Sequence, residues 1–292
     1  MEINDLVNGE TKLLALIGNP VSHSISPKLH NTISNLLGKN LVYIPFCVKK
    51  DNLKEAIEGL KALNVVGFNI TAPYKKEVMK YIDDNGRISF LMGAVNTVKN
   101  IDGRLYGYNT DGEGFVRGAK LESGIDFKGK KVTILGAGGA ARAIAVKLAT
   151  LNVSELNIVN RSIENAASIQ NVINDNIKDI VKIYTYKDKE YENVINKSNV
   201  VINATTLGMA SKINESPIKN AKILKKNQYI YDIIYSPRET LFQKQAKNIG
   251  CKTQNGLGML FYQAIASYEI WTGYKFSDNE TKDIYEKFMK LV

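Results

Sequence analysis

The chain has 292 residues, enough for two domains or one large domain with a substantial core. Its formal net charge is +10, from 39 Lys and Arg against 29 Asp and Glu, but the lysines are scattered and form no nucleic-acid-binding motif, so we expect no nucleic-acid partner. No apolar run is long enough to cross a membrane, and Cys47 and Cys251 have neither metal-ligand nor disulfide-framework spacing, so we expect a cytoplasmic protein without a metal.

Short apolar runs alternate with helical patterns along the chain. The predicted strands are 13–17, 41–48, 65–71, 132–135, 156–159, 181–186, 199–203 and 229–234, and the predicted helices include 27–37, 51–63, 139–151 and 240–248. In the first helix, Ser26 is expected to cap, Pro27 to take the first helical position and Gly38 to end it. Strands that alternate with helices indicate an α/β fold with parallel sheets.

Polar stretches follow two early strands. GNPVSHSISP (18–27) follows the first, and GFNITAPYKK (67–76) ends a later one, with a helix expected after Pro73. Residues 93–111 read as a hairpin centred near residue 102, which would bring Asn96 close to residues 109–111. Ligands in α/β sheets bind beyond the carboxyl ends of strands, so these stretches are candidates for a substrate site. A polar hairpin end exposed to solvent is the alternative.

The stretch KVTILGAGGAARAIAVKLA (131–149) carries the strongest single motif. It places G-x-G-x-x-A, from Gly136 to Ala141, between a predicted strand and a predicted helix. Gly136 permits the tight turn, and Gly138 lets a pyrophosphate approach the backbone at the helix N-terminus. The motif predicts a dinucleotide site, and a merely tight turn between strand and helix is the alternative.

The end of the next strand indicates which dinucleotide binds. Asn160, Arg161 and Ser162 stand where an NAD site usually has Asp or Glu. Because a guanidinium pairs with a 2′-phosphate, these residues favour NADP. The alternative is that Arg161 is a surface residue and Ser162 only caps the following helix.

A nicotinamide enzyme that reduces a carbonyl needs a cation or proton donor at the oxygen that gains charge. Lys75 lies at a strand end with Asp111 available as its partner, and His23 could donate a hydrogen bond. His30 is expected to be structural. Taken alone, Lys75 also reads as a surface lysine.

Together these motifs resemble the shikimate dehydrogenase family, which interconverts 3-dehydroshikimate and shikimate with NADP. The similarity runs essentially end to end, through GNPVSHSISPKLHN (18–31), GFNITAPYK (67–75), GAVNT (93–97), YNTDGEG (108–114), GAGGAARA (136–143), NRS (160–162), INATTLGM (202–209), YDIIYSP (231–237) and NGLGMLFYQA (255–264). It implies a substrate-binding and catalytic domain with a mainly parallel sheet (1–112), a Rossmann-type NADP-binding domain (113–255) and C-terminal helices returning to the first domain (256–292).

The resemblance also implies a role for each matching position. The catalytic pair would be Lys75 and Asp111. A small-molecule substrate, shikimate or 3-dehydroshikimate, would be bound by Ser24, Ser26, Asn69, Thr71, Asn96, Asp111, Tyr235 and Gln263, with Ser24, Ser26 and Tyr235 at its carboxylate. The cofactor would be bound by Gly136, Ala137, Gly138, Gly139, Ala140, Asn160, Arg161, Ser162, Thr205, Met209, Gly256 and Met259. Of these, Gly136, Gly138, Gly139 and Ala140 would hold its pyrophosphate, residues 160–162 its adenosine end, and Thr205, Met209, Gly256 and Met259 would lie near the nicotinamide.

One stretch departs from the family pattern. NADP-specific members often carry a second basic residue shortly after the Asn-Arg-Ser triplet, whereas this chain has Glu164 and Asn165 there. Strict NADP preference and activity on quinate are therefore left open. An NAD-using quinate/shikimate dehydrogenase and a non-catalytic metabolite-binding regulator are the competing functions, and a homodimer is compatible with the sequence.

Overall fold

The structure, a computed structural model, describes residues 7–290. In chain order, strands β1–β11 are Lys12–Gly18, Leu41–Cys47, Gly67–Ile70, Thr97–Ile101, Arg104–Tyr108, Lys131–Leu135, Glu155–Asn160, Val181–Thr185, Val200–Asn203, Tyr229–Asp232 and Lys252–Gln254. Helices α1–α10 are Ser26–Leu36, Leu53–Ala62, Arg87–Met92, Asp111–Ser123, Gly139–Ala149, Ile163–Asn176, Tyr191–Lys197, Leu241–Ile249, Leu257–Thr272 and Asp278–Met289. Within these described residues, every helix is too short or too polar to cross a membrane.

The alternation of strands and helices confirms the predicted α/β class, and the chain divides into two compact units. The first unit takes the chain up to Thr110 and again from Gln263 onward, and the second is Asp111–Tyr262. This second unit extends beyond the middle domain predicted from the sequence, 113–255, at both ends. The boundary between Tyr262 and Gln263 falls inside α9, so this helix contributes residues to both units.

The sheet of the first unit has the strand order β2-β1-β3-β4-β5. Strand β1 pairs in parallel with β2 and β3, whereas β4 is antiparallel to both of its neighbours. Only β4 therefore runs against the other strands of this sheet. Its turn to β5 is the predicted hairpin, with Asp102 and Gly103 at positive φ (50° and 81°) and the Gly103 amide donating to Asn100 Oδ1.

Both faces of this sheet are covered, which explains the continuous apolar run of β1. Successive side chains of a strand point to opposite faces. Ala15 and Ile17 pack in a cluster with the buried side of α2, whereas Leu14 and Leu16 pack with Tyr43 and Trp271 on the other side. A strand buried on both faces needs apolar residues at every position, so alternation is absent.

One local prediction was wrong. Ser26 is the first residue of α1 and not its cap, since Ile25 precedes the helix without a side-chain cap bond, although Gly38 does follow the helix with φ of 59°. The helix expected after Pro73 is a short 3-10 helix, Glu77–Tyr81, which begins after a turn. The Lys75 carbonyl accepts a hydrogen bond from the Val95 amide at 2.8 Å, so that carbonyl is engaged outside any helix.

The sheet of the second unit has the order β11-β10-β9-β6-β7-β8, with every pairing parallel. Numbered from β6, this is the order 3-2-1-4-5-6 of the doubly wound dinucleotide-binding fold, as predicted. The chain reverses its direction of winding between β6 and β9. In such sheets ligands bind beyond the carboxyl ends of the strands at this switch point.

Candidate functional site

In the first unit, the loops after β1 and β3 lie side by side. We call residues 18–26 the serine loop and residues 71–76 the lysine loop. The Thr71 amide donates to Ile17 O at 2.9 Å, and the Asn19 amide donates to Ala72 O at 3.1 Å. A Cβ on Gly18 would lie 2.2 Å from Thr71 Cγ2, so glycine is what allows the two loops to touch.

The serine loop folds as a turn that leads into α1. Ser24 Oγ accepts a hydrogen bond from the Ser26 amide at 3.2 Å, and both serines are half-buried. Ser26 begins the helix, where unpaired amides carry partial positive charge. This arrangement suits a carboxylate, the group that Ser24 and Ser26 are predicted to bind. His23 is exposed on the same loop.

The lysine loop is anchored by its tyrosine. Tyr74 is buried, and its hydroxyl donates to Val48 O at 2.6 Å. Lys75 next to it is half-buried, whereas Lys76 is exposed. The two lysines therefore differ in burial, which makes Lys76 a natural control for Lys75.

A buried polar network continues from the lysine loop across the sheet, and Asn69 is at its centre. The Asn69 amide group donates to Asn96 O at 2.9 Å and to Thr97 Oγ1 at 3.1 Å, and its oxygen accepts from the Tyr43 hydroxyl at 2.8 Å. Asn69 is only 6% exposed. These partners fit Asn69 as a support for other binding residues, and its predicted direct contact with substrate stays a prediction.

Asn96 closes the hairpin onto the residue that precedes Asp111. Its Oδ1 accepts from the Thr110 amide and from Thr97 Oγ1, both at 2.9 Å, and its Nδ2 donates to Thr110 Oγ1 at 3.1 Å. The predicted approach of Asn96 to Thr110 is thus confirmed. Asp111 follows directly as the first residue of α4.

Helix α9 adds two polar side chains to this network. Ser267 Oγ lies 2.8 Å from Thr97 Oγ1 and 3.2 Å from Thr110 Oγ1, and Thr110 Oγ1 donates to Gln263 Oε1 at 3.4 Å. Gln263 was predicted, but Ser267 was missed. The available signal was its spacing, because residues four apart share one face of a helix.

In the second unit, the glycine loop after β6 has the geometry that a pyrophosphate requires. Gly136 has φ of 105°, and a Cβ there would lie 3.0 Å from Ala204 O, so both conformation and space require glycine. Around Gly138 and Gly139, by contrast, no other part of the described chain lies within 4 Å of an added Cβ. Helix α5 begins at Gly139, so its first amides lie beside this open loop. Together with Ala137 and Ala140, these residues fit the predicted phosphate cradle.

The predicted adenosine-end residues follow β7. Asn160 Nδ2 donates to Ser162 O at 2.9 Å, and Arg161 and Ser162 are exposed. Ser162 precedes α6 without a side-chain cap bond, so the alternative that it only caps the helix gains no support. Glu164 and Asn165, also exposed, occupy the first turn of the same helix.

The residues predicted to lie near the nicotinamide are on the loop after β9 and at the start of α9. Tyr235, predicted to bind the substrate, is on the loop after β10. Thr205 is held by Asn203, while Met209 and Tyr235 are 39% and 45% exposed. A Cβ on Gly256 would lie 2.0 Å from Ile233 O, so glycine lets α9 begin against the loop after β10. Met259 follows in the first turn of α9, half-buried.

No metal centre is built from the described residues, since residues 7–290 contain no group of three or more His, Cys, Asp or Glu side chains that could hold an ion. Both cysteines are free thiols, Cys47 exposed and Cys251 buried.

Comparison with known proteins matches three family models along the chain. They are described as the shikimate dehydrogenase substrate binding domain (residues 16–98), shikimate/quinate 5-dehydrogenase (118–248) and the shikimate 5′-dehydrogenase C-terminal domain (256–275). A relative from Methanococcus vannielii, named shikimate dehydrogenase (NADP(+)), is 42% identical over 98% of this chain and 100% of its own length.

Solved structures agree with these matches. Shikimate 5-dehydrogenase from Listeria monocytogenes, solved with shikimate and NAD, superimposes with a TM-score of 0.90 at 37% identity, covering 96% of this chain and 98% of its own. A shikimate dehydrogenase solved with NADP+ gives a TM-score of 0.86 at 41% identity, covering 96% and 97%. The resemblance drawn from the ordered motifs is confirmed, and the chain belongs to the shikimate dehydrogenase family.

Proposed function

We propose that this chain is a shikimate dehydrogenase, an oxidoreductase that reversibly reduces 3-dehydroshikimate to shikimate with NADPH in chorismate and aromatic amino-acid biosynthesis. The observation that carries the proposal is the hydrogen-bonded junction of the first unit. Lys75 O accepts from the Val95 amide, and the adjacent Asn96 holds Thr110, the residue before Asp111. Hydrogen bonds therefore hold the backbone at Lys75 and at Thr110, the residue before Asp111.

Lys75 and Asp111 are the proposed catalytic residues. NADPH, when bound, supplies the hydride that adds to the ring carbonyl carbon. The carbonyl oxygen gains negative charge in this step, and the Lys75 ammonium hydrogen-bonds to it and delivers the proton that makes the product hydroxyl. The Asp111 carboxylate orients the ammonium group. A positioned acid of this kind contributes about 10²- to 10⁴-fold to the rate.

The remaining polar side chains orient the substrate. Ser24 and Ser26, with Tyr235, bind its carboxylate, and the positive end of α1 favours that anion. The ring hydroxyls are hydrogen-bonded by the side chains of Thr71, Asn96, Asp111 and Gln263. Asn69 supports Asn96 by donating to its backbone carbonyl. This assignment is supported by the half-buried state of Ser24, Ser26, Thr71 and Gln263, which leaves part of each side chain accessible.

The cofactor is NADP, held at its pyrophosphate by the glycine loop and at its adenosine end by residues 160–162. A second candidate, an NAD(H)-using quinate/shikimate dehydrogenase, is favoured by one observation. Glu164 and Asn165 are exposed on the first turn of α6, where a carboxylate opposes a 2′-phosphate and neither residue adds a cation to Arg161.

Steady-state kinetics test the proposal and separate the candidates. NADP reduction with shikimate should exceed both NAD reduction and turnover of quinate, whereas preference for NAD or quinate would support the second candidate. Tight binding of shikimate without turnover by either cofactor would indicate a non-catalytic binding protein instead.

Replacing the proposed catalytic lysine gives a sharper test. Lys75→Ala should lower kcat by at least about a hundredfold with little change in NADP affinity, because it removes the acid and leaves the cofactor loop untouched. Lys76→Ala, which removes an exposed lysine from the same loop, is the matched control and should retain full activity. Equal activity of the two variants would refute the role of Lys75.

We also propose a cytoplasmic location, which the two free thiols support, since disulfides are rare in that compartment. A homodimer is compatible with the chain, and light scattering of the purified protein would decide its oligomeric state.

A further inference from the structure

A buried carboxylate lies at the carboxyl end of β10 in the second unit. Asp232 is 0% exposed. Its two oxygens accept from Asn203 Nδ2 at 3.0 and 3.1 Å, one of them also accepts from Thr240 Oγ1 at 2.7 Å, and the other from the Ile234 amide at 3.0 Å. The proposed catalytic roles leave this group unused.

The carboxylate determines which way the Asn203 amide points. An ionised carboxylate only accepts hydrogen bonds, so the NH2 group of Asn203 must face Asp232. The Asn203 oxygen is then directed to the following loop, where it accepts from the Thr205 amide at 3.0 Å and from Thr205 Oγ1 at 2.7 Å. Asn203 Nδ2 also donates to Leu207 O at 3.2 Å.

The same carboxylate secures the other end of that loop, residues 204–209. Thr240 donates its hydroxyl to Asp232 and caps α8. Gly208 has φ of 109°, and a Cβ there would lie 3.1 Å from the Thr240 side chain, so the loop packs directly on this threonine. Asp232 thus bonds Asn203, which precedes the loop, and Thr240, against which Gly208 packs.

This placement is energetically costly. Burial raises the pKa of Asp232 from 3.8 to about 6, and the hydrogen bonds from Asn203, Thr240 and the Ile234 amide only partly offset that cost. Replacing buried ionised groups by neutral packing is often stabilising, so stability alone is a weak reason for a carboxylate here. A role in orienting a functional loop accounts for it better.

We propose that Asp232 is a positioning residue that, acting through Asn203, holds residues 204–209 in the conformation that receives the nicotinamide half of the cofactor. The inference rests on the proposed function and on the prediction that Thr205 and Met209 lie near the nicotinamide. It adds a residue that touches neither cofactor nor substrate.

The test compares the whole cofactor with its adenosine half by calorimetry on the full-length chain. In Asp232→Asn, one of the two oxygens that accept from Asn203 Nδ2 becomes an NH2 group, which faces the Asn203 NH2 group. The hold on the Asn203 amide, and through it on Thr205, should therefore weaken. Loss of such a charge-assisted bond predicts about tenfold to hundredfold weaker NADP binding. Binding of 2′,5′-ADP, which lacks the nicotinamide, should be unchanged. A general loss of structure would weaken both ligands.

Two further variants make the test specific. Ile173→Ala removes a fully buried side chain far along α6 and should lower stability. It should not weaken the binding of NADP more than the binding of 2′,5′-ADP. In an Asn203→Ala background, Asp232→Asn should have no additional effect on NADP binding, since the pair acts as one unit.

The proposal is overturned if Asp232→Asn weakens both ligands equally or neither of them. Should that variant fail to fold, Asn203→Ala and Thr240→Val provide the same comparison, and equal effects on both ligands would again overturn it. Absence of shikimate turnover by the unmodified protein would refute the proposed function instead, so the two failures are distinguishable.

Discussion

Lowering the pH from 7 to 4 should destabilise the first unit through one buried histidine. His30 is 0% exposed, and its ring stacks on Tyr43 with centroids 4.4 Å apart and lies 5.1 Å from the ring of Trp271. Within residues 7–290, neither of its ring nitrogens has a hydrogen-bond partner. Protonation would therefore place a charge in a buried site lined by aromatic rings, without the hydration it has in the unfolded chain.

The size of the effect follows from the shift in pKa. Burial outweighs the favourable effect of the nearby Asn69 side chain and lowers the pKa of His30 from 6.5 to about 3. Between these values the unfolded chain binds the proton and the folded chain does not. The stability of the folded chain is therefore unaffected by protonation of His30 above pH 6.5 and declines as the pH falls toward 3. At pH 4, about 2.5 units below the unfolded value, the loss is about 3 kcal/mol.

Urea unfolding at pH 7 and pH 4 measures this loss, and His30→Phe is the control. The variant keeps an aromatic ring in the stack but cannot be protonated. The difference in unfolding free energy between the variant and the unmodified protein should change by about 3 kcal/mol between the two pH values. Taking this difference cancels the contributions of other titrating groups, because they are the same in both proteins. A change below about 1 kcal/mol would refute the reasoning, because the histidine would then be partnered or hydrated when folded.

Two further substitutions test the packing and the cofactor site. Gly67→Ala should lower stability by about 1–3 kcal/mol in urea unfolding, because its Cβ would lie 2.3 Å from the indole of Trp271 and 2.5 Å from Val98 O; an unchanged midpoint would contradict that packing. Arg161→Ala should weaken NADP binding about tenfold or more in calorimetry and spare NAD, whereas equal loss for both would mean that it does not contact the 2′-phosphate. Asn165→Lys should strengthen NADP binding selectively, and equal gains for NAD would argue against a role at that phosphate.

Several features could be predicted from the sequence because they depend on short stretches of chain. The glycine loop at 136–141 follows from a turn that only glycine can make and from the strand and helix around it. The hairpin centred near residue 102 follows from its turn residues, and the α/β class follows from the alternation of apolar runs and helical patterns. The loop and the hairpin each span fewer than about 20 residues, as does each strand or helix in the alternation, so local chemistry is sufficient to recognise them.

Tertiary structure decided the remaining features, because they depend on partners far away in the chain. The segment after Pro73 is not an α-helix, since the Lys75 carbonyl bonds the Val95 amide. Ser267 joins the network of Asn69 and Thr97 only because α9 returns to the first sheet. Asn203 and Asp232 belong to two separate motifs of the sequence, and their pairing exists because β9 and β10 are adjacent parallel strands. Hydrogen bonds of this kind are satisfied only after distant segments have packed, so a local pattern carries no signal for them.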